Sequence, residues 1–215
     1  MKRYLLIAFS NLIICLPSHA GTLAVTVTDS GGKALADVAV YVQPQGSLST
    51  MPANKIQIEQ KNKEFLPFVT VIQTGTSAYF PNRDGIGHHV YSFSQAKNFQ
   101  LPLSEQETTD SVLFDKPGVV TVGCNIHDWM VAYIYVVDTP YFAVTDSSGA
   151  VNIDNVPAGG YTLHVWHPGS KAGTAMEQQI NISDDGTLQL DFALDLKPEY
   201  FWKPARPTEH EESQY

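Results

Sequence analysis

The sequence predicts an all-β protein of the sandwich type. The chain is divided into many short runs rich in β-branched and aromatic residues, and Gly, Pro, Asn or Asp separate these runs. Helix start signals and helical periodicity are almost absent. The predicted strands lie at residues 23–28, 38–42, 68–73, 77–81, 88–94, 119–124, 131–137, 151–154, 161–167, 177–182 and 188–194.

The amino terminus has the three parts of a cleavable export signal. Lys2 and Arg3 precede an apolar run over residues 5–16, and residues 18–20 suit a signal peptidase. The run is too short for a comfortable membrane span, so we expect a soluble periplasmic protein; a lipid anchor at Cys15 is the alternative. The 195 residues that remain (215 less 20) fit two domains of ordinary size.

The charge of the chain argues against a nucleic-acid partner. The formal net charge is −9, and cleavage of the signal removes Lys2 and Arg3 but no acidic residue, which leaves −11. Such a surface repels phosphate backbones and favours basic or dipolar partners.

One short segment, residues 124–130, carries three metal-binding side chains at three-residue intervals. They are Cys124, His127 and Met130, and the predicted mature chain has no other cysteine. A His₂Cys set with a weak axial Met is the ligand set of an electron-transfer copper centre. A free thiol in an oxidising compartment is otherwise a liability. A buried, inert Cys124 is the alternative, but it leaves the spacing of the other two side chains to chance.

The second imidazole is predicted upstream, in residues 82–94. There a Gly-rich turn leads into an alternating, strand-like run that starts with His88 and His89. Successive strand side chains face opposite sides, so only one of the two histidines can point at the metal. The pattern alone does not choose between them.

These two segments resemble the cupredoxins, the small blue-copper proteins, and most closely the amicyanin-like members with the shortest ligand loop. The matching positions are Asn82, Asp84, His88, Val90, Phe114, Pro117, Gly118, Cys124, His127 and Met130. The resemblance covers roughly residues 56 to 137 and implies a Greek-key sandwich with one type 1 copper. The copper ligands that it implies are His88, Cys124, His127 and Met130. The chain departs from the family at His89, where cupredoxins usually have an Asn that braces the ligand loop.

The segments on either side resemble a second kind of β-sandwich. Residues 33–42 look like the opening of a carboxypeptidase-regulatory-like or prealbumin-like module, and residues 146–167 look like its later part. We therefore predict that the cupredoxin domain is inserted into this module. The alternative is one enlarged cupredoxin over residues 21–137, followed by a separate sandwich.

The inserted arrangement gives five predicted regions. They are a signal peptide at 1–20, the first sandwich strands plus a linker at 21–55, the cupredoxin domain at 56–138, the remainder of the sandwich at 139–197 and a disordered tail at 198–215. The tail prediction rests on three prolines and on Glu209, Glu211 and Glu212, and a loosely docked tail is the alternative.

The resemblance and the ligand set together predict an exported electron carrier that is not an enzyme. The partner would be a redox protein such as a dehydrogenase, a cytochrome or an oxidase. The two-part architecture is similar to that of proteins of methylamine utilisation. The alternatives are periplasmic copper storage or delivery, a binding module in which the copper is structural, and a zinc site, although Met is a poor zinc ligand.

The ligand loop also predicts where a partner docks. The solvent edge of His127 is the expected route for electrons, framed by Ile126 and Trp129. Packing of Trp129 onto the β core is the alternative for that side chain. Asp128 either steers a basic partner or caps the loop.

The other histidines are not expected to form a second metal site within one chain. His164 and His167 stand three apart on a predicted strand, which places them on opposite faces. Together with His89 they are candidates for a site shared between subunits.

Overall fold

The computed structural model describes residues 20–46, 54–104 and 110–208, and this part of the chain is all-β, as predicted. The predicted signal peptide falls almost entirely on residues 1–19, which lie outside the described residues, as do residues 47–53 of the predicted linker. A single 3₁₀ turn, Glu199–Phe201, is the helical element of the described part. None of the described residues forms a helix long and apolar enough to cross a membrane.

Seventeen strands make up the described chain. In order they are β1 (Ala20–Asp29), β2 (Ala39–Pro44), β3 (Lys55–Gln57), β4 (Glu59–Lys61), β5 (Glu64–Leu66), β6 (Val69–Gln73), β7 (Thr76–Tyr79), β8 (His88–Phe93), β9 (Asn98–Ser104), β10 (Ser111–Phe114), β11 (Gly118–Gly123), β12 (Val131–Val137), β13 (Phe142–Val144), β14 (Ala150–Pro157), β15 (Gly159–Trp166), β16 (Met176–Ile182) and β17 (Thr187–Leu194).

The first and last strands of the chain build one sandwich. Its two sheets have the strand orders β14-β1-β17 and β13-β2-β15-β16, in which β1 runs antiparallel to β14 and parallel to β17. Alternate residues of β1 point inward, so that Leu23, Val25 and Val27 are buried between the two sheets. This closed apolar layer is the core of the sandwich unit.

The strands between residues 55 and 137 pair among themselves in the described chain. They form a five-stranded sheet, β6-β12-β11-β8-β9, a three-stranded sheet, β10-β7-β3, and the small hairpin β4-β5. Phe80, Phe114 and Ile134 are fully buried between the two larger sheets. We call this part the metal-site unit. Because β1 and β2 pair only with strands that follow residue 139, we retain the inserted-domain hypothesis as our proposal for the boundaries.

The two units share an aromatic interface. Sheet β13-β2-β15-β16 lies with its outer face against sheet β6-β12-β11-β8-β9. Trp166 packs edge-on against Tyr135, with ring centroids 5.2 Å apart, and the hydroxyls of Tyr41 and Tyr135 lie 3.2 Å apart. The four sheets therefore form one stack with three apolar layers.

Residues 198–208, the described part of the predicted tail, lie against both units. We call this segment the strap, because it crosses from the sandwich unit onto the metal-site unit. The Trp202 ring packs on His167 (4.6 Å) and Phe68 (6.1 Å), and the Tyr133 hydroxyl donates a hydrogen bond to the Trp202 carbonyl (2.8 Å). Trp202 makes contacts that the Pro- and Glu-rich composition of the segment does not indicate. Residues 209–215 of the predicted tail lie outside the described residues.

The pKa of His167, which lies at this junction, departs strongly from its ordinary value. Its ring is buried, and Nδ1 accepts a hydrogen bond from the Gly169 N–H (3.0 Å). Burial first, and the nearby Lys203 ammonium second, lower the pKa of His167 to about 4. The neutral ring is therefore the form that the native structure accommodates.

Stability should fall with acidification because His167 takes up its proton more readily in the unfolded chain. With a pKa near 6.5 when unfolded and about 4 when folded, its contribution is complete above pH 6.5 and is lost as the pH falls towards 4. The variant His167→Asn keeps an acceptor for the Gly169 N–H. Between pH 7 and pH 4.5 we expect its free energy of unfolding to fall by about 2–3 kcal/mol less than that of the wild type. Urea unfolding of the metal-free proteins measures this difference. Parallel losses in the two proteins would contradict the assignment.

Candidate metal centre

The ligand loop is a short connection between two paired strands. Gly123, the last residue of β11, pairs with Val131, the first residue of β12. Within the loop, the Cys124 N–H donates to the Met130 carbonyl (3.2 Å), and the Met130 N–H donates to the His127 carbonyl (2.9 Å). These bonds satisfy backbone groups inside the loop and fix its path independently of any metal.

Three donor side chains converge at this loop. His88 at the start of β8, Cys124 after β11 and His127 in the loop bring one ligand atom each to within 4.8 Å of one another. The two Nδ1 atoms of His88 and His127 lie 3.2 Å apart, and the Cys124 Sγ lies 3.7 Å from the His127 Nδ1. In the described residues this is the one group of three or more His, Cys, Asp and Glu side chains that could hold a metal ion.

These separations fit donors that share one metal ion. Bonds of about 2.0–2.1 Å to nitrogen and 2.3 Å to sulfur, at angles between roughly 100° and 120°, place two donors about 3.2–3.8 Å apart. His88 is 1% exposed and Cys124 is 4% exposed, whereas His127 is only partly buried. The set therefore has two sealed ligands and one ligand with a solvent edge.

The structure distinguishes between the two adjacent histidines. His88 faces Cys124 and His127, while His89 faces the other side of the strand. There the His89 Nε2 lies 2.8 Å from the Gln100 side-chain nitrogen, and its Nδ1 is buried without a hydrogen-bond partner. The alternation of side chains along β8 thus assigns His88 to the cluster.

Met130, the fourth predicted ligand, is buried in the core next to the cluster. It is 1% exposed and belongs to the same apolar layer as Cys124. Its backbone closes the ligand loop, as described above. We propose its sulfur as a weak axial ligand.

A carboxylate orients the first imidazole from behind. The His88 Nε2 lies 2.8 Å from the Asp84 Oδ2, and the backbone N–H groups of Asn62 and Lys63 donate to the same carboxylate at 2.6 and 2.8 Å. Burial by itself raises the pKa of Asp84, but these hydrogen bonds outweigh it and hold the pKa below its ordinary value. Ionised Asp84 therefore accepts a hydrogen bond from the Nε2–H of His88, which leaves the Nδ1 lone pair for a metal.

The rim of the site is apolar. Ile126, next to His127 in the loop, is 47% exposed, and the Trp129 ring lies 5.2 Å from the His127 ring, centroid to centroid. Trp129 is only partly buried, so it both packs on the unit and reaches its surface, and its Nε1 is buried without a partner. Asp128 is exposed beside them.

His164 and His167 lie away from the cluster. His164 stacks flat on Tyr41 (4.4 Å, 6°) and its Nδ1 lies 3.5 Å from a carboxylate oxygen of Glu177. His167 contacts Trp202 of the strap. The structure thus brings together His88, Cys124 and His127 and leaves His164 and His167 in other surroundings.

The comparison with protein families matches only part of the chain. The family model for domain II of polysaccharide lyase family 4 matches residues 124–190, which is well under half of the chain. No curated protein matches the sequence.

Several solved structures that resemble the chain are copper proteins. The Cu-containing nitrite reductase of Thermus scotoductus SA-01 is 23% identical over 45% of this chain and 26% of its own, with a TM-score of 0.37. A purple cupredoxin from Nitrosopumilus maritimus is 22% identical over 38% of this chain and 99% of its own (TM-score 0.34). A Cu(I) amicyanin variant is 14% identical over 46% and 98% (TM-score 0.36). These TM-scores are all below 0.5, so the function proposed for this chain rests on its own donor atoms.

Asp84→Asn should weaken metal binding without unfolding the protein. The amide oxygen can still face His88, but it lacks the charge that raises the basicity of the ring. We expect the affinity for Cu(I), measured by competition with a chromophoric chelator, to fall about tenfold or more. Asp191→Asn, at an exposed position on β17, is the matched control. Equal affinities in the two variants would contradict the role of Asp84.

Proposed function

We propose that this protein is a type 1 (blue) copper protein that transfers single electrons between redox partners. The observation that carries the proposal is the buried Cys124 thiol, which faces the Nδ1 atoms of two histidines inside a loop already closed by backbone hydrogen bonds. The proposed ligands are His88, Cys124, His127 and Met130. The domain boundaries given above are part of the same proposal.

The chemistry of the donor set favours copper over zinc. A structural zinc site usually recruits four Cys and His ligands, whereas this cluster offers three among the described residues. The proposed fourth ligand is the thioether of Met130, a soft ligand suited to copper and poor for zinc. When bound, copper supplies one-electron chemistry between Cu(I) and Cu(II).

The chain's own residues give the site the properties of a carrier. The loop is held between β11 and β12, so the ligands need to move little when the charge at the site changes. Burial of His88 and Cys124 excludes water from most of the ligand sphere. The partly exposed edge of His127, with Ile126 and Trp129 beside it, is the proposed contact for a redox protein such as a dehydrogenase, a cytochrome or an oxidase.

The remaining parts of the proposal rest on the sequence. We propose a periplasmic location from the export signal and exclude nucleic acid from the net charge of −9. We also propose that the protein is not an enzyme, because copper enzymes of this kind pair the blue site with further copper held by several histidines, and the other histidines of this sequence are scattered. The carboxypeptidase-regulatory-like origin of the sandwich and a role in methylamine utilisation stay predictions.

Cys124→Ser should abolish the spectrum of the site. The wild type titrated with Cu(II) should show an intense thiolate-to-copper band in the visible range and a narrow copper hyperfine splitting in electron paramagnetic resonance. Both signals should bleach reversibly with reductant, and the serine variant should show neither. A colourless wild type that binds only Cu(I) would favour storage or delivery. A preference for zinc would favour a structural site.

Met130→Leu should raise the reduction potential while the visible band persists. A thioether donates electron density that favours Cu(II), so its loss stabilises Cu(I) relative to Cu(II). Protein-film voltammetry measures the shift. Met176→Leu is the matched control, because Met176 is exposed on β16 of the other unit. An unchanged potential in Met130→Leu would remove Met130 from the ligand set.

A further inference from the structure

We propose that Arg206 of the strap is a positioning residue of the metal site. In this proposal it holds the β4–β5 turn, the turn holds Asp84, and Asp84 orients His88. The inference rests on the proposed function for the identity of the metal, but the chain of contacts itself needs no metal.

The strap has a firm anchor from which Arg206 can act. Trp202 packs against His167 and Phe68, its Nε1 donates to the Lys197 carbonyl (3.3 Å), and its own carbonyl accepts the Tyr133 hydroxyl (2.8 Å). A Cβ at Gly169 would lie only 2.5 Å from the Trp202 Nε1, so the ring is seated directly on the backbone there. The segment that leads to Arg206 is therefore fixed on both units.

Arg206 then reaches the turn of the β4–β5 hairpin. Its Nη1 donates to the Asn62 carbonyl at 3.1 Å. The backbone N–H of Asn62 donates to the Asp84 carboxylate at 2.6 Å. The backbone of Asn62 is thus held from two sides, by a cation on its carbonyl and by an anion on its N–H.

This turn has a conformational reason to need such support. Asn62 and Lys63 both have φ of 57°, the left-handed values that a type I′ hairpin turn requires at its two central residues. Asn tolerates this region, but Gly is the usual residue at the second position, and Lys63 pays a steric cost there. Contacts from outside the hairpin are expected to hold a turn of this kind in place.

The turn also supplies hydrogen bonds to the Asp84 carboxylate. Asp84 accepts the N–H groups of Asn62 and Lys63, and its Oδ2 also faces the His88 Nε2. Two of its three partners outside its own loop therefore belong to the turn that Arg206 holds. If the turn moves, the carboxylate loses the bonds that fix its direction, and the His88 ring loses its fixed acceptor.

The pathway is also unusual in its connectivity. Arg206 and Asn62 are 144 residues apart, and the strap follows the last strand of the sandwich unit. Arg206 and Asp84 line the same open cleft, about 470 Å³ in volume, next to the β4–β5 turn. The sandwich unit thereby contributes a residue to the support of a ligand that sits in the other unit.

Hydrogen exchange in the metal-free protein tests the first link. The variants are Arg206→Ala, the conservative Arg206→Lys, and Lys203→Ala as a control that removes one cation from the same strap. We expect the amides of Asn62 and Lys63 to exchange about tenfold faster in Arg206→Ala. Arg206→Lys should restore most of the protection, and Lys203→Ala should leave it at the wild-type level. Unchanged exchange in Arg206→Ala would overturn the proposal.

The copper-loaded protein tests the second link. Asp84→Asn removes charge behind His88 and should raise the reduction potential, because a less basic imidazole stabilises Cu(II) less. Arg206→Ala should shift the potential in the same direction but by less, and should release copper several-fold faster. Faster amide exchange with an unaltered potential and release rate would mean that Arg206 supports the hairpin only, which also overturns the role assigned to it.

The two proposals can fail separately. If the wild type shows no blue-copper spectrum, the proposed function fails, and the release rate of Zn²⁺ to a chelator replaces the potential as the readout. Zn²⁺ should then leave Arg206→Ala several-fold faster than Lys203→Ala. Equal rates would overturn the positioning role whatever metal the site holds in the cell.

Discussion

The pairing of β11 with β12 is the constraint on which the rest of the site depends. Their register joins Gly123 to Val131, so the seven residues between them must turn within a fixed span. Such a turn brings Cys124 and His127 to the same side, and the loop's own hydrogen bonds leave little freedom. A thiol and two imidazoles can then be held close together in an apolar core before a metal arrives, at a cost that the strand pairing offsets.

The sequence predicted the long strands and missed the short ones for a physical reason. Each of the eleven predicted runs overlaps an observed strand, because a strand buried on at least one face needs apolar residues. The six missed strands are β3, β4, β5, β9, β10 and β13. Four of them span three residues or carry charges, as β4 (Glu59–Lys61) does, and β9 contains a proline. Their pairing depends on partners that a local pattern cannot supply.

The same division applies to the site. The three clustered donors were predictable because Cys124 and His127 share one loop and His88 begins a clear alternating strand, whereas Met130 as a fourth ligand stays a proposal. The choice between His88 and His89 needed the direction of β8, and Asp84 and Arg206 needed contacts that join distant parts of the chain. An acid four residues before a histidine is a usable signal for Asp84. No local signal marks Arg206, because its partner is 144 residues away.

The second unit stiffens the strand that leaves the ligand loop. Along β12, Ala132, Ile134 and Val136 point into the metal-site core, while Tyr133 and Tyr135 point into the aromatic interface with the sandwich. A strand packed on both faces cannot open without breaking two apolar layers, so the backbone next to Met130 is held in one conformation. We therefore expect the site to exchange metal slowly. Slow exchange would suit the proposed electron transfer better than rapid copper delivery, which needs ligands that open.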